Sequence, residues 1–116
     1  MHAIRTCLTV AALTLAPSFA AAQFCQPIQF ERGSFSGAVS DTLTPSQARC
    51  YTLEVGSGQA ARIAVIGENM CVSVSGVGDC QAEFRFTTRA GIYELRVTQL
   101  FRSASTLPFT LTAEVR

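Results

Sequence analysis

Lysine and tryptophan are absent from this 116-residue sequence, and histidine occurs once, at His2. Long apolar runs are missing as well. A bilayer span needs about 20 apolar residues in succession, and the one candidate, from Cys7 to Leu15, is far shorter. It reads instead as the centre of a secretory signal. Met1, His2 and Arg5 precede it, Pro17 follows, and Ala20-Ala21-Ala22 offers small residues for a cut ahead of Gln23. Phe24 stands directly before Cys25, where lipidation needs a small residue, so a lipoprotein anchor is excluded. The expectation is a signal peptide over residues 1–22, a single domain over 23–116, and a periplasmic or secreted location.

Removing the signal sharpens each absence. Of 116 residues, 94 remain, enough for one domain with a thin core. His2 leaves with the signal, and so do Cys7 and Arg5. The nine cationic side chains, all arginine, become eight and balance the eight carboxylates. A neutral chain has no electrostatic footprint for nucleic acid or anionic lipid. Without histidine or lysine, a serine or cysteine nucleophile lacks its usual base, and metal-assisted hydrolysis lacks imidazole ligands. Gly76-Val77-Gly78-Asp79 is not followed by Lys-Ser/Thr, so it is no phosphate loop. A glycosidase needs a pair of carboxylates, but Glu54, Glu83, Glu94 and Glu114 fall at the wet positions of alternating segments, the ordinary place for a solvated charge. The reading is a non-enzyme with no cofactor and no metal.

Four cysteines remain: Cys25, Cys50, Cys71 and Cys80. An even count in a small exported domain reads as a disulfide framework. Three pairings are possible. Cys25–Cys50 with Cys71–Cys80 is favoured, because Cys71 and Cys80 flank one turn while the other two flank an earlier segment.

What is present in abundance is alternation of period two. Tyr51-Thr52-Leu53-Glu54-Val55, Ala82-Glu83-Phe84-Arg85-Phe86, Tyr93-Glu94-Leu95-Arg96-Val97 and Phe109 to Val115 each put apolar side chains on one face and polar ones on the other. Ile28-Gln29-Phe30, Ser34 to Val39, Ala61 to Ile66 and Val72 to Ser75 are shorter but also favour strands. Turn residues separate these runs, among them Thr44-Pro45-Ser46, Gly56-Ser57-Gly58, Gly67-Glu68-Asn69 and Arg89-Ala90-Gly91. About eight strands with one apolar face each predict an all-β, antiparallel, jelly-roll-like sandwich, with a small closed barrel as the alternative. Tyr51 and Tyr93 are expected to point inward.

The least ordinary segment runs from Thr98 to Pro108. Leu100-Phe101-Arg102 places two large apolar residues beside a cation, and Ser103-Ala104-Ser105-Thr106 follows. If strand 93–97 continues to about Phe101, alternation sends Gln99 and Phe101 inward and Leu100 and Arg102 outward. Leu100, Phe101, Arg102 and Ser103, with Arg89, are the candidate partner-binding residues. Aromatic and arginine anchors dominate protein-binding hot spots.

These residues also carry a resemblance. Gly91-x-Tyr93-x-Leu95-Arg96-Val97, then Leu100-Phe101-Arg102-Ser103-Ala104, then Phe109-Thr110-Leu111-Thr112 resemble the end of bacterial pre-peptidase C-terminal-like domains, and among them the periplasmic inhibitors of g-type lysozyme. Ser34-Phe35-Ser36-Gly37, Cys50-Tyr51-Thr52-Leu53 and Gly58-Gln59 sit where such domains carry a polar–Gly strand, a tyrosine strand and a Gly-Gln turn. The resemblance implies a jelly-roll sandwich and a protein partner, in its sharpest form a lysozyme. The inhibitor motif has Leu-Met-Arg followed shortly by Ala-Arg. Leu100 and Arg102 match it, Phe101 stands at the methionine position, and Ser105 and Thr106 stand where Ala-Arg is expected. The spacing from Val97 to Leu100 is one residue longer. The first reading is therefore a non-catalytic exported protein that recognises a protein through the 98–108 loop, in an oligomeric state the sequence leaves open. A carbohydrate or cell-wall binding module and a structural envelope subunit are the alternatives.

Overall fold

A computed structural model describes residues 24–116. The signal-peptide reading of residues 1–22 lies outside the described residues. Nine strands form two packed sheets: β1 (Gln26–Pro27), β2 (Ser36–Leu43), β3 (Arg49–Val55), β4 (Ala60–Ile66), β5 (Met70–Val74), β6 (Gly78–Gln81), β7 (Glu83–Thr87), β8 (Gly91–Gln99) and β9 (Leu107–Val115). One sheet has the order β1-β3-β8-β5-β6 and the other β2-β9-β4-β7. All pairings are antiparallel except the two-residue contact of β1 with β3, which is parallel. This is the expected sandwich rather than the closed barrel.

Alternation explains how the sheets meet. From the first sheet Tyr51, Leu53, Val72, Val74, Leu95 and Val97 turn inward, and from the second Leu43, Ile63, Phe109, Leu111 and Ala113 meet them, all at 3% exposure or less. The tyrosine ring of Tyr51 packs edge-on against Phe109 with centroids 6.5 Å apart. Burial, with Asp41 nearby, pushes the Tyr51 phenol pKa up. Tyr93 also turns inward but is only half-buried, its ring 5.2 Å from that of Phe86.

Both favoured disulfides are present, Cys25–Cys50 and Cys71–Cys80. The first fastens the short β1 to β3 at one edge of its sheet. The second fastens β5 to β6 at the other edge, where the register shifts between Val72 and Val74. There Cys80 takes a left-handed φ of 45° and its N–H donates to the Ser73 hydroxyl at 2.9 Å instead of to a ladder carbonyl.

Three expectations are corrected. The strand expected at Ile28 to Phe30 is replaced by β1 two residues earlier; Ile28 is buried and its N–H reaches Thr52 O at 2.9 Å, but the chain then turns away through Arg32-Gly33. β6 occupies part of what reads as a turn. Gly78 makes it possible, because a Cβ there would lie 2.7 Å from the Phe84 ring. The strand expected at Ser34 to Val39 starts later and runs on to Leu43, carrying Asp41 toward Arg49 (3.5 Å).

On the outer face of the second sheet one carboxylate serves two arginines. Glu83 Oε2 accepts from Arg62 Nε at 2.7 Å and from Arg85 Nε at 2.8 Å. The hydrogen bond from Arg62, assisted by the charge of both arginines, holds the Glu83 carboxyl below the usual carboxylate range. A group with a depressed folded pKa stabilises the fold above its unfolded pKa, and that contribution is lost as pH falls through the folded value. Carboxyl carbon shifts followed by NMR should therefore place the Glu83 midpoint below the ordinary glutamate range, and Arg62→Gln should move it upward. The two disulfides close loops of different length, with separations of 25 and 9 residues. Loop entropy predicts that replacing the Cys25–Cys50 pair by alanines costs about 3.5 kcal/mol and the Cys71–Cys80 pair about 2.6 kcal/mol in urea unfolding.

Candidate partner-binding loop

β8 ends at Gln99 in one sheet and β9 begins at Leu107 in the other, so residues 100–106 cross one end of the sandwich. The β4–β5 turn Gly67-Glu68-Asn69 lies beside this crossing. Gly67 is required there: its φ is 152°, and a Cβ would stand 2.8 Å from the Pro108 carbonyl oxygen. Asn69 follows in the left-handed region at φ 60°, which asparagine tolerates better than most residues.

That conformation aims Asn69 at the loop. Its main-chain oxygen accepts from Leu100 N at 2.8 Å. Its side-chain oxygen accepts from Phe101 N at 2.8 Å, and its Nδ2 donates to Phe101 O at 2.8 Å and to Gln99 Oε1 at 3.4 Å. Gln99 completes the clamp, with Nε2 donating to Leu43 O at 3.1 Å and Ser105 O at 2.9 Å. The Ser103 hydroxyl accepts from Ser105 N at 3.0 Å. Two carboxamides thus tie the loop to the end of β2 and to the β4–β5 turn.

The side chains between these anchors face solvent. Leu100 is 46% exposed and Phe101 71%; Arg102 is exposed and Ser103 half-buried. The expected inward position of Phe101 is corrected. β8 stops at Gln99, and the two-point bond of the Asn69 carboxamide to the Phe101 backbone takes that residue out of the strand alternation. Gln99 turns inward and Leu100 and Arg102 outward, as alternation predicts. An exposed phenylalanine beside an exposed leucine is unfavourable in isolation. A loop already held by hydrogen bonds loses little further freedom when it is covered.

Arg89 is not part of this surface. It lies in the β7–β8 connection at the opposite end, where its N–H donates to the Tyr93 hydroxyl at 3.0 Å. The nine residues of β8 separate the two ends, about 27 Å at 3.4 Å per residue. The sequence singled out Leu100, Phe101, Arg102 and Ser103 but gave no sign of Asn69 or Gln99 as their supports. Phe35 (60% exposed) lies at the far end from Phe101, where the Arg116 guanidinium stands 6.0 Å from its ring. Among the described residues, one group of three potential metal ligands comes together, Cys25, Cys50 and Glu94. Its two sulfurs are bonded to each other.

No family model matches the chain, and no curated protein matches it. Solved structures do. The periplasmic inhibitor of g-type lysozyme from Aeromonas hydrophila superposes with a TM-score of 0.68 at 21% identity, over 79% of this chain and 96% of its own. The corresponding inhibitor from Salmonella Typhimurium gives 0.65 at 16%, over 78% and 96%. The pre-peptidase C-terminal domain of a Bacillus anthracis collagenase gives 0.59 at 16%, over 81% and 96%. At these identities the likeness is one of fold. The chain has the sandwich of pre-peptidase C-terminal domains, as the resemblance implied.

The clamp can be tested without disturbing φ. Asn69→Gly keeps the left-handed backbone and the main-chain bond to Leu100 but removes the carboxamide. We expect amide exchange at Phe101 to accelerate at least about tenfold, corresponding to loss of one hydrogen bond of about 1.4 kcal/mol, while Leu100 stays protected.

Proposed function

We propose that this chain is an exported, non-catalytic binding protein that recognises a protein partner through the 98–108 loop, and that a g-type lysozyme is the first partner to test. The observation that carries this reading is the clamped loop: Asn69 and Gln99 hold the backbone while Leu100, Phe101 and Arg102 stand out to solvent. An exposed phenylalanine beside a guanidinium joins two residue types that are enriched at protein interfaces. The fold shared with inhibitors of g-type lysozyme supports the reading. Phe101 at the expected methionine position keeps the apolar anchor. Ser105 and Thr106, in place of Ala-Arg, remove one cation, so more of the charge recognition rests on Arg102.

Two disulfides suit an oxidising compartment, in keeping with residues 1–22 acting as a signal peptide and residues 23–116 as the working domain, in the periplasm or beyond it. The test is lysozyme inhibition and direct binding by residues 23–116. Phe101→Ala and Arg102→Ala should each weaken the complex about thirtyfold, equivalent to about 2 kcal/mol. Arg89→Ala, at the far end, should change it less than about twofold, within the scatter of surface substitutions. Unchanged g-type lysozyme activity at micromolar protein removes the lysozyme version. A larger effect of Arg89→Ala than of Arg102→Ala moves the site away from the loop.

A further inference from the structure

Two sheets have four edges, and three of them are protected against pairing with another chain. β1 is two residues long and fastened by Cys25–Cys50. β6 is irregular in register, left-handed at Cys80 and fastened by Cys71–Cys80. β2 has edge-facing main-chain groups met by local side chains: Ser36 N and O bond the Ser34 hydroxyl, Thr42 N donates to Asp41 Oδ1, and Thr42 O accepts from Arg49 Nε. Such devices are how native sheets avoid edge-to-edge association. β7 has none of them. It pairs with β4 alone, contains no proline or glycine, and keeps an uninterrupted register from Glu83 to Thr87.

The direction of its backbone groups follows from the bonds at its two ends. Val65 N donates to Ala82 O at 3.0 Å, Thr88 N to Gln59 O at 2.8 Å, and Gly58 N to Thr88 O at 2.8 Å. Residues of even number therefore turn their N–H and C=O groups toward β4. Glu83, Arg85 and Thr87 turn theirs to the open edge, where no partner meets them among the described residues.

The side chains choose what fits that edge. Arg62 and Arg85 stand directly opposite one another across β4 and β7, a like-charge arrangement that sheets disfavour. One carboxylate, Glu83, serves both. An antiparallel copy of β7 centred on Phe84 sets Glu83 opposite the copy's Arg85 and Arg85 opposite the copy's Glu83. In that register both residues of each pair present their main-chain groups to one another, and Phe84 faces its own counterpart at the close-packed, non-hydrogen-bonded position. Centring the pair on Arg85 instead stacks arginine on arginine. The charges on β7, which ordinarily guard an edge by repulsion, here select one register.

We propose that β7 is a self-association edge, through which two copies of this chain pair antiparallel about Phe84 to join their four-stranded sheets into one. The two-fold axis runs through the strand pair, so the two 98–108 loops project from opposite ends and both stay open. The edge is short, so the association is weak and reversible.

Sedimentation equilibrium of residues 23–116 should show a molar mass rising toward twice the monomer value between about 10 µM and about 1 mM, the range of weak, small interfaces. Glu83→Arg and Arg85→Glu each place like charges opposite in the dimer and should remain monomeric. The double swap Glu83→Arg/Arg85→Glu restores complementarity and should dimerise again. Circular dichroism melts on all three establish that they fold, since these side chains are solvent-exposed. Amide exchange should slow at Glu83 and Arg85 in the concentrated wild type and change little at Phe84 and Phe86, whose N–H groups already face β4. A wild type that is monomeric at about 1 mM overturns the proposal, and so does a dimer that survives either single charge reversal or one that the double swap fails to restore.

Discussion

The interior shared by the two sheets is the constraint on which everything else rests. β3, β8 and β5 contribute Tyr51, Leu53, Leu95, Val97, Val72 and Val74, and β4 and β9 contribute Ile63, Leu111 and Ala113 from the other side. Because strand side chains alternate with period two, a slip of one residue in β8 or β9 would carry the whole apolar set to solvent. Burial therefore fixes the register of the two strands that flank the candidate loop. It sets where β8 must release the chain and where β9 must take it up again. The disulfides act at the margins of this arrangement, holding β1 and β6, which bury too little on their own to be secure.

The loop is the point at which that register is exploited. Gln99 is the last residue of β8, and alternation turns it inward, yet it is polar and finds Leu43 O and Ser105 O at the rim of the core. Asn69 approaches from the neighbouring turn. Both residues use carboxamides, which donate and accept at once, so each can satisfy backbone groups of both kinds in a segment without a ladder. The result is an irregular crossing whose main chain is satisfied and whose apolar side chains are not. That division of roles underlies the proposed recognition surface.

Much of this was legible in the sequence. The alternation in Tyr51–Val55, Tyr93–Val97 and Phe109–Val115 reports burial directly, because each strand has one wet and one dry face. The disulfide pairing was legible because Cys71 and Cys80 bracket a turn. What stayed hidden depends on partners distant in sequence. β6 has no alternation, since its Gly78-Asp79-Cys80 run is shaped by Ser73, Phe84 and a disulfide rather than by burial. The outward turn of Phe101 depends on Asn69, 32 residues earlier, and an asparagine in a Gly-Glu-Asn turn signals a left-handed residue without signalling what its side chain will hold. Arg89 resembled a companion to Arg102 by residue type. Topology alone puts them at opposite ends.

The central claim is that contact with a partner is made at the end of the sandwich crossed by residues 98–108. A photo-crosslinking phenylalanine analogue placed at position 101 in one preparation and at position 35 in another reads this directly, because both positions are exposed and they lie at opposite ends. Irradiated with g-type lysozyme, the protein labelled at 101 should yield a one-to-one covalent adduct and the protein labelled at 35 none. An adduct from position 35 alone, or none from either, would contradict the account.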